Sequence, residues 1–104
     1  MRYTLSQMEP LIDYDSLDWD DWNVTHILKH DVTPTEVEEV MASDSIVVRQ
    51  TYKNRLQVTG LTFHGRVLAV VIGPAPDNPR VYYTFSARPA SRKERRFYQE
   101  QREP

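Results

Sequence analysis

The stretch from residue 55 to residue 72, RLQVTGLTFHGRVLAVVI, decides the fold of this chain. It contains two runs rich in β-branched and apolar residues, Leu56–Phe63 and Val67–Gly73, separated by a short break at His64-Gly65. A short turn-like break between two such runs favours an antiparallel hairpin. The second run contains the continuous apolar segment LAVVI, which is typical of a central strand.

Two more strand-like runs flank this hairpin. Ile46–Tyr52 precedes it after the break Lys53-Asn54, and Val81–Ser86 follows it after the Pro-rich loop 74–79. All four runs are rich in β-branched and aromatic residues. Their close spacing predicts an antiparallel meander of four strands.

Two helices are predicted before the strands. Asp18–His30 shows helical spacing of its apolar residues, and Asp20 or Asp21 can cap it. Asp31 follows the last turn, where a left-handed residue is often needed and aspartate tolerates that conformation. The segment TPTE at residues 33–36 is a capping box with proline at the first helical position, and its helix ends near residues 42–44.

A third helix is predicted at about residues 91–102, opened by the capping box SRKE. The order helix, helix, four strands, helix is an α+β domain with helices packed on an antiparallel sheet. Residues 1–17 show no sustained periodicity and are interpreted as an N-terminal extension, which leaves residues 18–104 as the domain.

Composition favours a single soluble globular domain, because the 104 residues are 39% hydrophobic and 27% charged. The sequence has no apolar run near the length of a membrane span and no secretory signal pattern. Cysteine is absent, which excludes disulfides and cysteine nucleophiles and suits a reducing cytoplasm. We therefore expect a cytoplasmic protein without a membrane partner.

Charge is divided unevenly along the chain. Residues 1–52 carry three bases against eleven acids, a balance of −8, whereas residues 53–104 carry ten bases against four acids, a balance of +6. The basic half is able to face a polyanion. Alternatively, the two halves neutralise each other across the fold.

Three stretches resemble the BrnT-type toxins, and together they run from about residue 18 to residue 101. WDDWNVTHILKHDVTPTEVEEVM, residues 19–41, resembles their opening, a Trp-Asp pair before a helix that ends in Lys-His-Gly-Val. Residues 55–72 resemble their central hairpin. RVYYTFSARPASRKERRFYQE, residues 80–100, resembles their ending, and Ser-Ala-Arg followed by a basic helix is the most specific piece.

The resemblance implies a fold related to the RelE-like toxins. It also implies metal-independent cleavage of RNA, without a cofactor, and neutralisation by an antitoxin with a ribbon-helix-helix domain. The family pattern is matched by Lys29, His30, Arg55, Arg66, Arg80, Arg88, Arg92, Arg95, Arg96 and Tyr98, with Asp31 standing where the family has glycine.

Metal-free RNA cleavage needs a proton acceptor for the 2′-hydroxyl, stabilisation of the phosphorane and a proton donor for the leaving oxygen. Arg88 is the first choice for the phosphorane, and Arg55 and Arg80 would join it if their strands are neighbours. His30 or His26 would move protons near neutral pH. Tyr98 would hydrogen-bond a phosphate, stack on a base or assist proton transfer, or it belongs to the core.

The cations Arg92, Arg95 and Arg96 share one helix face and, with Arg66, are candidate RNA-binding residues. A solvated face paired with glutamates is the alternative. His26 and His30 have a metal-binding spacing, but we see no third ligand in the sequence, so packing of His26 against a tryptophan is the simpler interpretation. For His30, a functional role and a C-terminal capping role both stay open. The leading hypothesis is an RNA-cleaving toxin; the alternative is a non-catalytic protein-binding module.

Overall fold

The computed structural model describes residues 15–102 and the backbone of residues 3–4. Most of the N-terminal extension predicted over residues 1–17 therefore lies outside the described residues. The elements, in chain order, are β1 (Tyr3–Thr4), β2 (Ser16–Asp18), α1 (Asp21–Leu28), α2 (Pro34–Met41), β3 (Ile46–Thr51), β4 (Arg55–Leu61), β5 (Val67–Ala75), β6 (Asn78–Pro89) and α3 (Arg92–Arg102).

The described strands form one sheet in the order β1-β3-β4-β5-β6-β2. The predicted α+β class is confirmed, and β3 to β6 are the antiparallel meander. The prediction of a wholly antiparallel sheet of four strands is wrong, because β1 adds an antiparallel strand at one edge and β2 adds a parallel strand at the other. Both added strands are only two or three residues long, too short to leave a periodic signal in the sequence.

Tight turns set the register of the meander. Lys53 and Asn54 both have positive φ, 60° and 59°, as the central residues of a type I′ turn require, and the Arg55 amide donates to the Tyr52 carbonyl across that turn at 3.2 Å. The predicted loop 74–79 is shorter than expected, because β5 continues through Ala75 and β6 begins at Asn78. The pairing is irregular there, which accommodates prolines that cannot donate a backbone hydrogen bond.

Helices α1 and α2 cover one face of the sheet. Ile27 of α1 and Val37 and Val40 of α2 are fully buried and belong to the main hydrophobic cluster. The sheet contributes side chains that alternate along each strand, namely Val48, Val58, Leu68, Val70, Ile72 and Ala87. This face is therefore the hydrophobic core of the domain.

Local capping fixes where each helix begins. Asp20 caps α1, and Asn23 completes the box by accepting from the Asp20 backbone. The boxes predicted at residues 33–36 and 91–94 are both present, with reciprocal hydrogen bonds between side chain and backbone. Asp31 adopts the predicted left-handed conformation with φ 61°.

Helix α3 packs on the opposite face of the sheet, against β3 and β4. Tyr98 anchors it: the side chain is 1% exposed, and its hydroxyl donates to the Ser45 carbonyl at 2.6 Å. The domain thus has three layers, with two helices on one side of the sheet and one on the other. Across residues 3–4 and 15–102, we find no helix with the length and apolarity needed to cross a membrane.

Candidate functional site

The sheet face that carries α3 presents three arginines. Cross-strand partners point to the same face, and in the register Arg49 lies opposite Gln57, Arg55 opposite Thr51 and Arg88 opposite Ala69. The chain neighbours Val48, Leu56 and Ala87 belong to or pack against the core, so all three arginines leave the sheet on the other side. We call Arg49, Arg55 and Arg88 the arginine face.

Arg88 and Arg55 occupy different ends of this face. From the register and ordinary strand spacings, their Cα atoms are about 16 Å apart. Arg88 is in addition engaged by Glu94 and Arg55 by Phe85, so the two guanidinium groups have separate partners. The arrangement instead suits an extended polyanion that lies across β4, β5 and β6.

Arg88 is held by Glu94 in the first turn of α3. Its guanidinium donates to the two carboxylate oxygens at 2.7 and 2.9 Å. Glu94 also accepts from the Ser91 backbone at 2.8 Å and from the Gln57 amide at 3.3 Å. The hydrogen bonds from Arg88 are the main reason that the pKa of Glu94 falls to about 2, and the same contact raises the pKa of Arg88.

Arg55 is placed by an aromatic ring. Its guanidinium carbon lies 3.6 Å from the centroid of the Phe85 ring, a close cation–π stack. Gly73 makes room for this stack, since a Cβ atom at that position would lie 3.0 Å from the Phe85 ring and 3.4 Å from Arg55 Cγ. The charged edge of Arg55 is therefore held in one orientation.

Arg49 is a residue that the sequence-based prediction missed. Its side chain is half-buried, and its Nε atom is buried without a hydrogen-bond partner among the described residues. Alternation in the strand IVVRQT places Arg49 on the face opposite Val48, and that signal was available in the sequence. Its partial burial comes from α3, which packs on that face, and the strand pattern alone does not reveal this.

A cavity of about 460 Å³ opens beside Arg49, between α3 and the strands β3 and β4. We call it the Arg49 cavity. Its lining includes Arg49, Gln57, Lys93, Glu94, Phe97 and Tyr98. Charged, polar and aromatic groups thus meet in one open cavity.

The family-matched pair Lys29 and His30 lies elsewhere. Both residues are exposed and follow α1, which packs on the core face of the sheet. The structure therefore does not bring them together with Arg55 and Arg88. His26 stacks on Trp22 with ring centroids 4.8 Å apart, in agreement with the predicted packing role, and its ring lies 6.1 Å from that of His30.

Arg66 and Arg80 also lie away from the arginine face. Arg66 donates to the Asp31 carbonyl at 2.9 Å and to Glu36 at 2.7 Å, which ties the β4–β5 turn to the α1–α2 connection. Arg80 pairs with Asp15 at 2.9 Å near β2. Arg80 lies two residues before Tyr82 on β6, so the two side chains share one face of the sheet. Because Tyr82 packs against the core, Arg80 lies on the opposite side of the sheet from Arg88.

The basic residues at positions 92–96 of α3 differ in their contacts. Arg95 donates to the Ala90 carbonyl at 2.8 Å and so helps to close the N-terminal end of the helix. Arg92, Lys93 and Arg96 are exposed, and Arg92 and Arg96 lie one turn apart. These exposed cations extend the positive surface beyond the arginine face.

Comparisons with known proteins give no relative: no protein-family model, no curated protein and no solved structure matches this chain.

Proposed function

We propose that this protein is a metal-independent endoribonuclease of the BrnT toxin type, with a RelE-like fold, acting in the cytoplasm. The observation that carries the proposal is the arginine face, three guanidinium groups on the sheet surface that α3 borders. Guanidinium groups bind phosphate oxygens through paired hydrogen bonds and stay charged at all physiological pH values. The exposed cations of α3 would extend the RNA-binding surface.

Arg88 and Glu94 together supply a chemistry for cleavage. When a phosphate oxygen replaces Glu94 as the partner of Arg88, the freed carboxylate loses the contact that lowers its pKa and becomes a better proton acceptor. Glu94 would then take the proton of the 2′-hydroxyl, and the 2′-oxygen would attack phosphorus while the 5′-oxygen leaves with a proton from water. The products are a 2′,3′-cyclic phosphate and a 5′-hydroxyl, and no co-reactant is needed.

Incubation of end-labelled RNA with the purified protein in excess EDTA tests the proposal. We expect discrete fragments with cyclic phosphate ends, and their loss in the variant Arg88→Gln. Lys53→Gln is the matched control, since it removes one exposed positive charge at the β3–β4 turn. If intact wild-type protein leaves both free RNA and ribosome-bound RNA uncut, the ribonuclease proposal is wrong.

A second candidate function, a non-catalytic protein-binding module, is favoured by a different observation. Arg66, Arg80 and Arg88 each form an ion pair with a carboxylate within the fold. Arginines paired in this way stabilise the fold, and their charge is less available to bind RNA phosphates. In that case the remaining cations of α3 would contact an acidic partner protein.

The partner that the toxin proposal implies is an antitoxin with a ribbon-helix-helix domain. Coexpression of this chain with a ribbon-helix-helix protein encoded beside it, followed by size-exclusion chromatography, would test for a stable complex. A complex that also suppresses cleavage supports the toxin. A complex formed by a protein that cuts no RNA supports the binding module.

A further inference from the structure

The Arg49 cavity carries positive charge that the fold itself leaves unmatched. The carboxylate of Glu94, the acid among its lining residues, is already occupied by Arg88, Ser91 and Gln57. The described residues provide no hydrogen bond or ion pair to Arg49 or Lys93 through their side chains. Two cations therefore line the cavity without a counter-charge.

The unsatisfied Nε atom of Arg49 makes this arrangement costly for the folded protein. A buried donor without a partner typically destabilises a fold by about 1–3 kcal/mol. Buried donors without a partner are rare in native structures, and a bound anion is one of the partners that satisfies a guanidinium group. A phosphate oxygen in the cavity would satisfy this donor.

The other walls of the cavity indicate what the anion is attached to. Phe97 and Tyr98 contribute aromatic rings, and Gln57 and Thr59 contribute polar groups from β4. A volume of 460 Å³ falls within the range of about 300–1,000 Å³ that is usual for small-molecule sites. An aromatic wall beside a cationic one fits a ligand with a planar body and a charged end.

We propose that the Arg49 cavity binds the phosphomonoester group of a nucleotide, with the phosphate on Arg49 and Lys93 and the base against Phe97. A phosphomonoester carries close to two negative charges at neutral pH, which matches the two unpaired cations. The same chemistry occurs in a free mononucleotide and at a phosphorylated RNA end. The inference does not rest on ribonuclease activity: Arg49 belongs to both the cavity and the arginine face, but the inference concerns binding in the cavity and not cleavage at Arg88.

Isothermal titration calorimetry of the full chain with adenosine 5′-monophosphate, adenosine and inorganic phosphate tests the site. We expect the monophosphate to bind at least about tenfold more tightly than adenosine, as charge-assisted contacts to a phosphate require. Arg49→Gln should weaken the monophosphate about tenfold or more. Lys53→Gln, an equal change of charge away from the cavity, should leave its affinity within about twofold.

Two RNA trinucleotides, one with a 3′-phosphate and one with a 3′-hydroxyl, separate the possible sources of the ligand. Preference for the phosphorylated trinucleotide over the monophosphate identifies an RNA end, and the reverse order identifies a free nucleotide. Both orders support the site, provided that Arg49→Gln weakens the preferred ligand.

Equal affinity for adenosine and its monophosphate, or an Arg49→Gln variant that binds like the wild type, would overturn the inference. Should Arg49→Gln fail to fold, Arg49→Lys and Lys93→Gln replace it, and unchanged binding by both variants is equally decisive. Cleavage assays in EDTA on the same preparations distinguish the two proposals. Phosphate-dependent binding without cleavage contradicts only the ribonuclease proposal. Cleavage without such binding contradicts only the proposed nucleotide site.

Discussion

The guanidinium of Arg88 donates two hydrogen bonds, of 2.7 and 2.9 Å, to the carboxylate of Glu94. The same carboxylate accepts from the Ser91 backbone and so caps the first turn of α3. One acidic residue thus joins the end of strand β6 to the helix that follows it. The contact fixes the position of α3 on the sheet. It also decides whether Arg88 is available to a phosphate.

Replacing Glu94 by glutamine should reduce stability at neutral pH and flatten its dependence on acid. The pKa of Glu94 is lowered from 4.5 to about 2, so its contribution is complete above pH 4.5 and is lost as the pH falls towards 2. We expect Glu94→Gln to cost on the order of 2 kcal/mol at pH 7, since charge-assisted hydrogen bonds are lost. The difference from wild type should shrink steadily between pH 4.5 and 2.

Urea unfolding at several pH values measures this effect, with Glu100→Gln as a control at an exposed position of α3. A Glu94→Gln variant with the same acid dependence as wild type would mean that the ion pair does not contribute to stability in solution.

Glu94→Gln should also separate RNA binding from RNA cleavage. Freed from its partner, Arg88 becomes available to phosphate, so binding should tighten by several-fold, whereas cleavage should fall because the proton acceptor is gone. Arg88→Gln should weaken both. Fluorescence anisotropy with labelled RNA and the cleavage assay in EDTA give the two readouts. If Glu94→Gln weakens binding as Arg88→Gln does, the competition between Glu94 and phosphate is excluded.

The stack of Arg55 on Phe85 should appear as an energetic coupling. We expect a double-mutant cycle with Arg55→Gln and Phe85→Leu to give an interaction of about 0.5–1 kcal/mol in the free energy of unfolding. Thermal or urea unfolding of the four proteins measures it. A coupling near zero would show that Gly73 and Phe85 do not hold the guanidinium as the 3.6 Å distance indicates.

Arg49 and Arg66 should respond in opposite ways to replacement by methionine. Arg49→Met removes an unsatisfied donor, so stability should stay the same or rise by up to about 1 kcal/mol. Arg66→Met breaks hydrogen bonds to Asp31 and Glu36 and should cost about 1–3 kcal/mol. Differential scanning calorimetry of both variants makes the comparison, and similar losses in the two would mean that Arg49 is satisfied in solution.

Local chemistry explains which parts of the fold the sequence predicts. Capping depends on residues three positions apart, so the boxes that open α2 and α3 and the left-handed Asp31 are readable from the chain. The short strand β2 pairs in parallel with β6, more than sixty residues further along the chain. Pairing of three residues over that separation is decided by tertiary packing, which no local pattern records.

The sequence likewise predicts one part of the candidate site and not the other. The sequence identifies Arg55 and Arg88, and the register places both on one face. It also identifies Glu94 as a cap and as a partner for the cations of α3, but not as the partner of Arg88, because that contact depends on which side of the sheet α3 packs. Lys29 and His30 follow helix α1, which packs on the core face of the sheet. The Lys-His motif does not indicate on which face of the sheet the helix packs.

The short strands β1 and β2 border opposite edges of the meander, one beside β3 and the other beside β6. An uncovered edge exposes a row of backbone donors and acceptors on which another chain can add as a further strand. β1 pairs with residues 48–49 of β3 and β2 with residues 81–83 of β6, so each short strand covers part of one edge. We expect the loss of either pairing to leave more of that edge open to another strand, a consequence separate from any ligand that the sheet face binds.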